Sequence, residues 1–133
     1  MYIQWSPAFE IGVPRIDAEH RHLAGIVNAF YDVFRADGGR SRIFAVLNLL
    51  CQYAETHFRD EEELMGQGRY PGLARHRLEH DRLLREVFAL NERYAAGEAE
   101  ITEEVMGFLK HWLLSHILQE DKKLEAHFES VGR

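Results

Sequence analysis

Residues 43–64, IFAVLNLLCQYAETHFRDEEEL, decide the fold. Stepping through them by alternating fours and threes selects Ile43, Leu47, Leu50, Ala54, His57, Glu61 and Leu64. That spacing is the seam of a helix facing a bundle core. Two of its positions are not apolar. His57 and Glu61 stand one helical turn apart on a face where a packed bundle carries leucine or valine.

The same seam recurs along the chain. It reads Ile16, His20, Leu23, Val27, Phe30, Phe34 in a first helix and Leu73, His76, His80, Leu83, Val87, Leu90, Tyr94 in a third. A fourth gives Val105, Leu109, Trp112, His116. Helices are expected over about 17–36, 41–66, 71–96 and 103–130, after an irregular arm of about 1–15 punctuated by Pro7, Gly12 and Pro14. Asp17 and Thr102 are read as N-caps and Pro71 as part of a first helical turn. Asp37-Gly38-Gly39, Gly66-Gln67-Gly68 and Gly97 are read as stops. Period-2 alternation is nearly absent. Short connections between four helices predict an all-α, antiparallel up-down-up-down four-helix bundle filling residues 1–133 as a single domain.

Composition narrows the function. The 133 residues are 46% apolar and 29% charged, enough for one core and too few for two. Sixteen Lys and Arg against 22 Asp and Glu give a formal charge of −6, and no basic cluster suggests a nucleic-acid partner. One cysteine, Cys51, cannot form an internal disulfide, which favours a reducing compartment. MYIQWSPAFE lacks a secretory pattern, and no stretch approaches the ~20 apolar residues of a membrane span. A cytoplasmic protein is expected, and a monomer, since one bundle already buries its own seams.

Eight histidines are an excess for such a domain, and five take core positions. Antiparallel topology brings His20, His57, His76, His80 and His116 to one end. His20, His57, His80 and His116 lie roughly 16–18 residues from the turn joining the first and second or the third and fourth helices, about 25 Å at 1.5 Å per residue. Burying so many polar groups without partners costs several kcal/mol each, and a metal offsets that most simply. His57 with Glu61 and His76 with His80 are i, i+4 pairs able to share one ion or two adjacent ions. Asp121 joins them only if the fourth helix bends or breaks after His116, since five residues carry it about 140° around an ideal helix.

Five imidazoles and two carboxylates exceed the four ligands of a structural zinc and suit two bridged first-row metals. Iron is favoured, with manganese, zinc and cobalt open on ligand chemistry alone. If Glu61, Asp121 and an oxo or hydroxo group all bridge, three histidines make one iron six-coordinate and two leave the other five-coordinate. The open position, walled by apolar residues, suits a small neutral ligand such as dioxygen. His22, His111 and His127 are read as surface residues and Cys51 as packing. In the acidic run Asp60 to Glu63, Glu61 alone is read as turned inward.

In order along nearly the whole chain, four segments carry a family resemblance. They are Trp5 with Gly12-Val13, Ile16-Asp17 and His20 to Leu23; HFRDEEELM from His57; YPGLARHRLEH from Tyr70; and WLLSHILQED from Trp112. The chain resembles the bacterial members of the hemerythrin family, non-haem di-iron oxygen carriers. The resemblance implies that His76, His80 and His116 hold the six-coordinate iron and His20 and His57 the five-coordinate one, with Glu61 and Asp121 bridging. It also implies a break in the fourth helix before the last ligand, and an apolar oxygen pocket of Leu23, Phe58, Trp112, Leu113 and Ile117.

Oxygen-activating di-iron bundles carry more carboxylates and paired Glu-x-x-His motifs. The only such spacing here, Glu19 to His22, reads as off the seam. The expected function is therefore reversible dioxygen binding for storage, delivery or scavenging, without catalysis; a protein that accepts the oxygen or reduces the irons stays unidentified. Two rivals remain: a sensor of oxygen, nitric oxide or redox state read by a partner, and an enzyme reducing peroxide or nitric oxide. Sensor versions of this domain are commonly fused to signalling modules, and the chain's end soon after the bundle makes the sensor the less expected reading.

Overall fold

A computed structural model describes residues 2–130, and all regular structure among them is helical. The helices are α1 (Pro14–Arg35), α2 (Arg40–Gln67), α3 (Leu73–Ala95) and α4 (Glu103–His116). A π-helical stretch, Ile117–Asp121, then leads into α5 (Lys122–Ser130), and a 3-10 turn, Pro7–Phe9, lies in the arm. α1 packs on α2 and α4, and α2 on α3. The turns are short, so successive helices run antiparallel as a four-helix bundle. None of the helices among the described residues is long and apolar enough to cross a membrane.

Local chemistry sets several boundaries differently from the expectation. α1 starts at Pro14, ahead of Asp17, and Asp17 is not its N-cap. The Asp17 carboxylate lies in the first turn and accepts from the backbone N–H groups of Ile11 at 2.7 Å and Gly12 at 3.1 Å, fastening the arm to the helix. Pro71 stays outside α3: Arg69 takes a left-handed φ of 53°, Tyr70 N–H returns to the Met65 carbonyl, and the helix begins only at Leu73. Thr102 does cap α4, accepting from Val105 N–H at 3.2 Å. The fourth helix breaks directly after His116, where the π-helical stretch begins.

The apolar interior falls into two clusters. The larger runs through the bundle and includes Leu23, Phe30, Leu47, Ala54, Phe58, Leu83, Leu109, Leu113 and Ile117. The smaller closes one end with Ile11, Ile16, Met65, Leu124 and Phe128. Along every helix the change from one cluster to the other falls at the polar seam positions. His20 separates Ile16 from Leu23; His57 and Glu61 separate Ala54 from Met65; His116 and Asp121 separate Leu113 from Leu124. A layer of buried polar groups therefore divides the core.

α5 completes the small cluster. His127, expected at the surface, is half-buried; its Nε2 lies 2.7 Å from the Gly68 carbonyl and its ring meets Tyr70 edge-on. His22 and His111 are exposed. Cys51 is buried, and burial pushes its thiol up to about 11, so it is packed and unreactive.

Candidate metal centre

The polar layer draws on all four bundle helices and the π-helical stretch. His20, His57, Glu61, His76, His80, His116 and Asp121 are all buried, with His20, Glu61, His80 and Asp121 wholly so. The bend puzzle at Asp121 resolves in the backbone. A π-helix closes i→i+5 hydrogen bonds, which widens the turn and returns the fifth residue after His116 to the face that His116 occupies.

Each carboxylate divides its two oxygens between two groups of imidazoles. Glu61 Oε1 lies 3.1 Å from His76 Nε2 and 3.0 Å from His80 Nε2. Its Oε2 lies 3.3 Å from His20 Nε2 and 3.2 Å from His57 Nε2. Asp121 repeats the division: Oδ1 is 3.0 Å from both His76 Nε2 and His116 Nε2, and Oδ2 is 2.9 Å from His20 Nε2. Two donor sets result, His76–His80–His116 and His20–His57, with Glu61 and Asp121 common to both; within each set the donor atoms lie within 4.8 Å of one another.

Glu61 is aligned for hydrogen bonds with His20, His76 and His80, but the other close contacts of the two carboxylates are not so aligned. His57 Nε2 and both Asp121 oxygens lack a bonding partner although they are buried among such atoms. His80 Nε2 and His116 Nε2 face each other at 3.2 Å. Ring nitrogens that converge on shared points between them are arranged for a cation at each point. Neutral imidazoles with carboxylates fit first-row divalent metals, so the residues present fit a two-metal group.

The charge balance agrees. Burial alone would push His20 and His76 down, but Asp121 and Glu61 hold both at about 9. Burial acts likewise on His116, which Asp121 and Glu61 raise to about 10. Burial and Glu61 push Asp121 up, and His116 and His20 outweigh them, so its carboxyl sits well below the usual range. In the absence of a cation, protons supply the positive charge the two carboxylates require.

Two residues read from the sequence as solvated or off the seam belong to this site. Glu19 Oε1 accepts from His57 Nδ1 at 2.7 Å, and Glu62 Oε2 accepts from His80 Nδ1 at 2.8 Å. A proton held at Nδ1 leaves the Nε2 lone pair facing the centre. Outside them stand arginines: Arg77 Nε donates to Glu62 at 3.1 Å, and Arg15 lies 3.7 Å from Glu19 and 2.9 Å from Asp60. Their signal was indirect, since each glutamate adjoins a seam position (His20, Glu61) and flanks the neighbouring helix.

Leu23, Phe58, Trp112, Leu113 and Ile117 are all buried in the larger cluster. Phe58 stacks on His80 at 4.1 Å between ring centroids and meets His116 edge-on at 5.4 Å. Trp112 donates its indole N–H to the Leu83 carbonyl at 3.0 Å. A cleft of about 100 Å³ between α3 and α4 reaches Trp112 and His116 past Glu79, Arg82 and Phe108.

Comparison with known proteins gives concordant matches. Residues 11–128 match the model of the hemerythrin HHE cation binding domain. A bacteriohemerythrin of Methylococcus capsulatus is 35% identical, over 89% of this chain and 90% of that protein. One of Clostridium acetobutylicum is 31% identical, over 90% and 95%. A crystal structure of wild-type hemerythrin superposes with a TM-score of 0.87 at 34% identity, covering 93% of this chain and 95% of that one.

Proposed function

We propose, because the chain belongs to the hemerythrin family, that it binds dioxygen reversibly at a non-haem di-iron site. The observation that carries this reading is the division of two buried carboxylates between a set of three imidazoles and a set of two. His76, His80 and His116 would hold one iron, His20 and His57 the other, and Glu61 and Asp121 would serve both. The set with fewer protein donors would be the one with room for dioxygen. Bound there, two irons would supply the reversible electron transfer to dioxygen that no side chain can.

The chain's own residues set what enters and what leaves. Phe58, packed against His80, joins Leu23, Trp112, Leu113 and Ile117 in an apolar wall. Such a wall disfavours water and anions, whose desolvation is costly, and tolerates a neutral diatomic. Glu19 and Glu62 fix the tautomers of one histidine in each set. Five imidazoles against two carboxylates make a donor set poorer in negative charge than that of oxygen-activating bundles, which favours release of oxygen over its activation. The buried lone thiol suits a cytoplasmic setting, and the self-contained bundle suits a monomer.

Iron content and visible spectra through deoxygenated, oxygenated and again deoxygenated states test the proposal. Two irons per chain and an oxygen-dependent absorption band that vanishes when oxygen is removed are expected. Steady consumption of a reductant would replace the carrier with an enzyme, and a folded chain that takes up no iron would remove the site altogether.

A further inference from the structure

Asp121 reaches the polar layer only because Ile117–Asp121 is π-helical. This geometry is rare and mostly confined to single turns, so surroundings must hold it against the regular α-helix. Continuing α4 as an α-helix would swing Asp121 about 140° from His116 and out of the ring of imidazoles. Ile117, Leu124 and Phe128 are buried around the joint, but apolar contacts are not directional. Of the directional contacts tying the joint to other segments, Arg75 on Glu120 is long, at 3.8 Å, and the shorter one is made by the residue after Asp121. Lys122 Nζ donates to the Glu10 carbonyl at 2.8 Å.

That carbonyl is itself held in place. Ile11 and Gly12, directly after it, donate their N–H groups to Asp17 in the first turn of α1, and Ile11 is wholly buried. The Glu10 carboxylate lies 3.4 Å from Trp5 Nε1 and 3.3 Å from Arg21 Nη2. Further along the arm, Ile3 and Asn28 exchange two buried hydrogen bonds of 2.6 and 2.9 Å. A continuous series of directional bonds thus joins α1, which carries His20, through the arm to the residue beside Asp121.

We propose that Lys122 is a positioning residue for Asp121, and that the N-terminal arm is the fixed support against which it sets the π-helical turn. The inference rests on the di-iron reading above. Lys122 also lies 2.9 Å from Glu125, so the test must separate the two partners. Lys122→Met, Lys122→Arg and Glu125→Gln are compared with the parent chain in iron(II) titration against a competing chelator, and in thermal melting of the metal-free protein.

For Lys122→Met the expected result is about a tenfold loss of iron affinity, the lower end of the range for residues that orient ligands. Its metal-free midpoint should match that of Glu125→Gln. Lys122→Arg should recover part of the affinity, and Glu125→Gln should stay within about twofold of the parent. Parental iron affinity in Lys122→Met, or an equal loss in Glu125→Gln, overturns the inference while leaving the di-iron reading intact. A parent chain that takes up no iron in the same titration overturns the reading first, and the inference with it.

Discussion

Removing Glu62 should weaken iron binding without unfolding the bundle. Its Oε2 accepts from His80 Nδ1 at 2.8 Å, and its other oxygen accepts from Arg77 Nε at 3.1 Å. A hydrogen bond to a charged, largely buried partner contributes about 1.5–3 kcal/mol. The contact with Arg77, whose side chain is 55% exposed, contributes at most about 1 kcal/mol. Without the carboxylate, His80 is free to rotate and to place its proton on Nε2, the nitrogen needed at the centre. Glu62→Ala should therefore lose about 10–100-fold in iron affinity, or about 1.4–2.7 kcal/mol. Glu62→Gln keeps a neutral acceptor and should lose only severalfold. Glu63→Ala, exposed on the same helix, is the control and should change nothing. Chelator competition measures the affinity, and melting of the metal-free chains checks that the fold is retained. Affinity within twofold of the parent in Glu62→Ala would falsify the orienting role.

Three further outcomes are expected. His57→Ala removes one of the two donors of the smaller histidine set, and should lower iron to one per chain by elemental analysis and abolish the oxygen-dependent spectral change. Leu47→Ala opens a cavity at a fully buried position away from the polar layer and should cost about 2–5 kcal/mol in urea unfolding, with iron per chain unchanged. For the metal-free protein, His20 and His76 at about 9 and His116 at about 10 are raised above the imidazole value of 6.5. Their stabilisation is complete below about pH 6.5 and fades as the pH rises through about 9 to 10; a melting midpoint that rises between pH 7 and 10 contradicts it.

How much of this was legible depends on which physical rule placed each residue. His20, His57, Glu61, His76, His80 and His116 occupy seam positions, and helical periodicity with short turns suffices to bring those to one level. Asp121 obeys a different rule. No α-helical count puts it beside His116, and only the π-helical stretch does, a feature decided by tertiary contacts such as Lys122 on the Glu10 carbonyl. Glu19 and Glu62 escaped because a charged residue beside a seam is solvated or half-buried according to what the facing helix offers. Here the facing helices offer His57 and His80. Asp17 and His127 departed from expectation likewise: Asp17, read as a cap, holds the arm backbone at Ile11, and His127, read as a surface residue, meets the distant backbone at Gly68. Local periodicity therefore specifies the donor atoms, whereas the residues that aim them are specified between segments: α2 to α1, α3 to α2, and the last turn to the arm. That division predicts where relatives can vary without losing metal. An aiming residue can be replaced by another carboxylate or donor reaching from a different element, but a seam histidine has no substitute position from which to reach the same point.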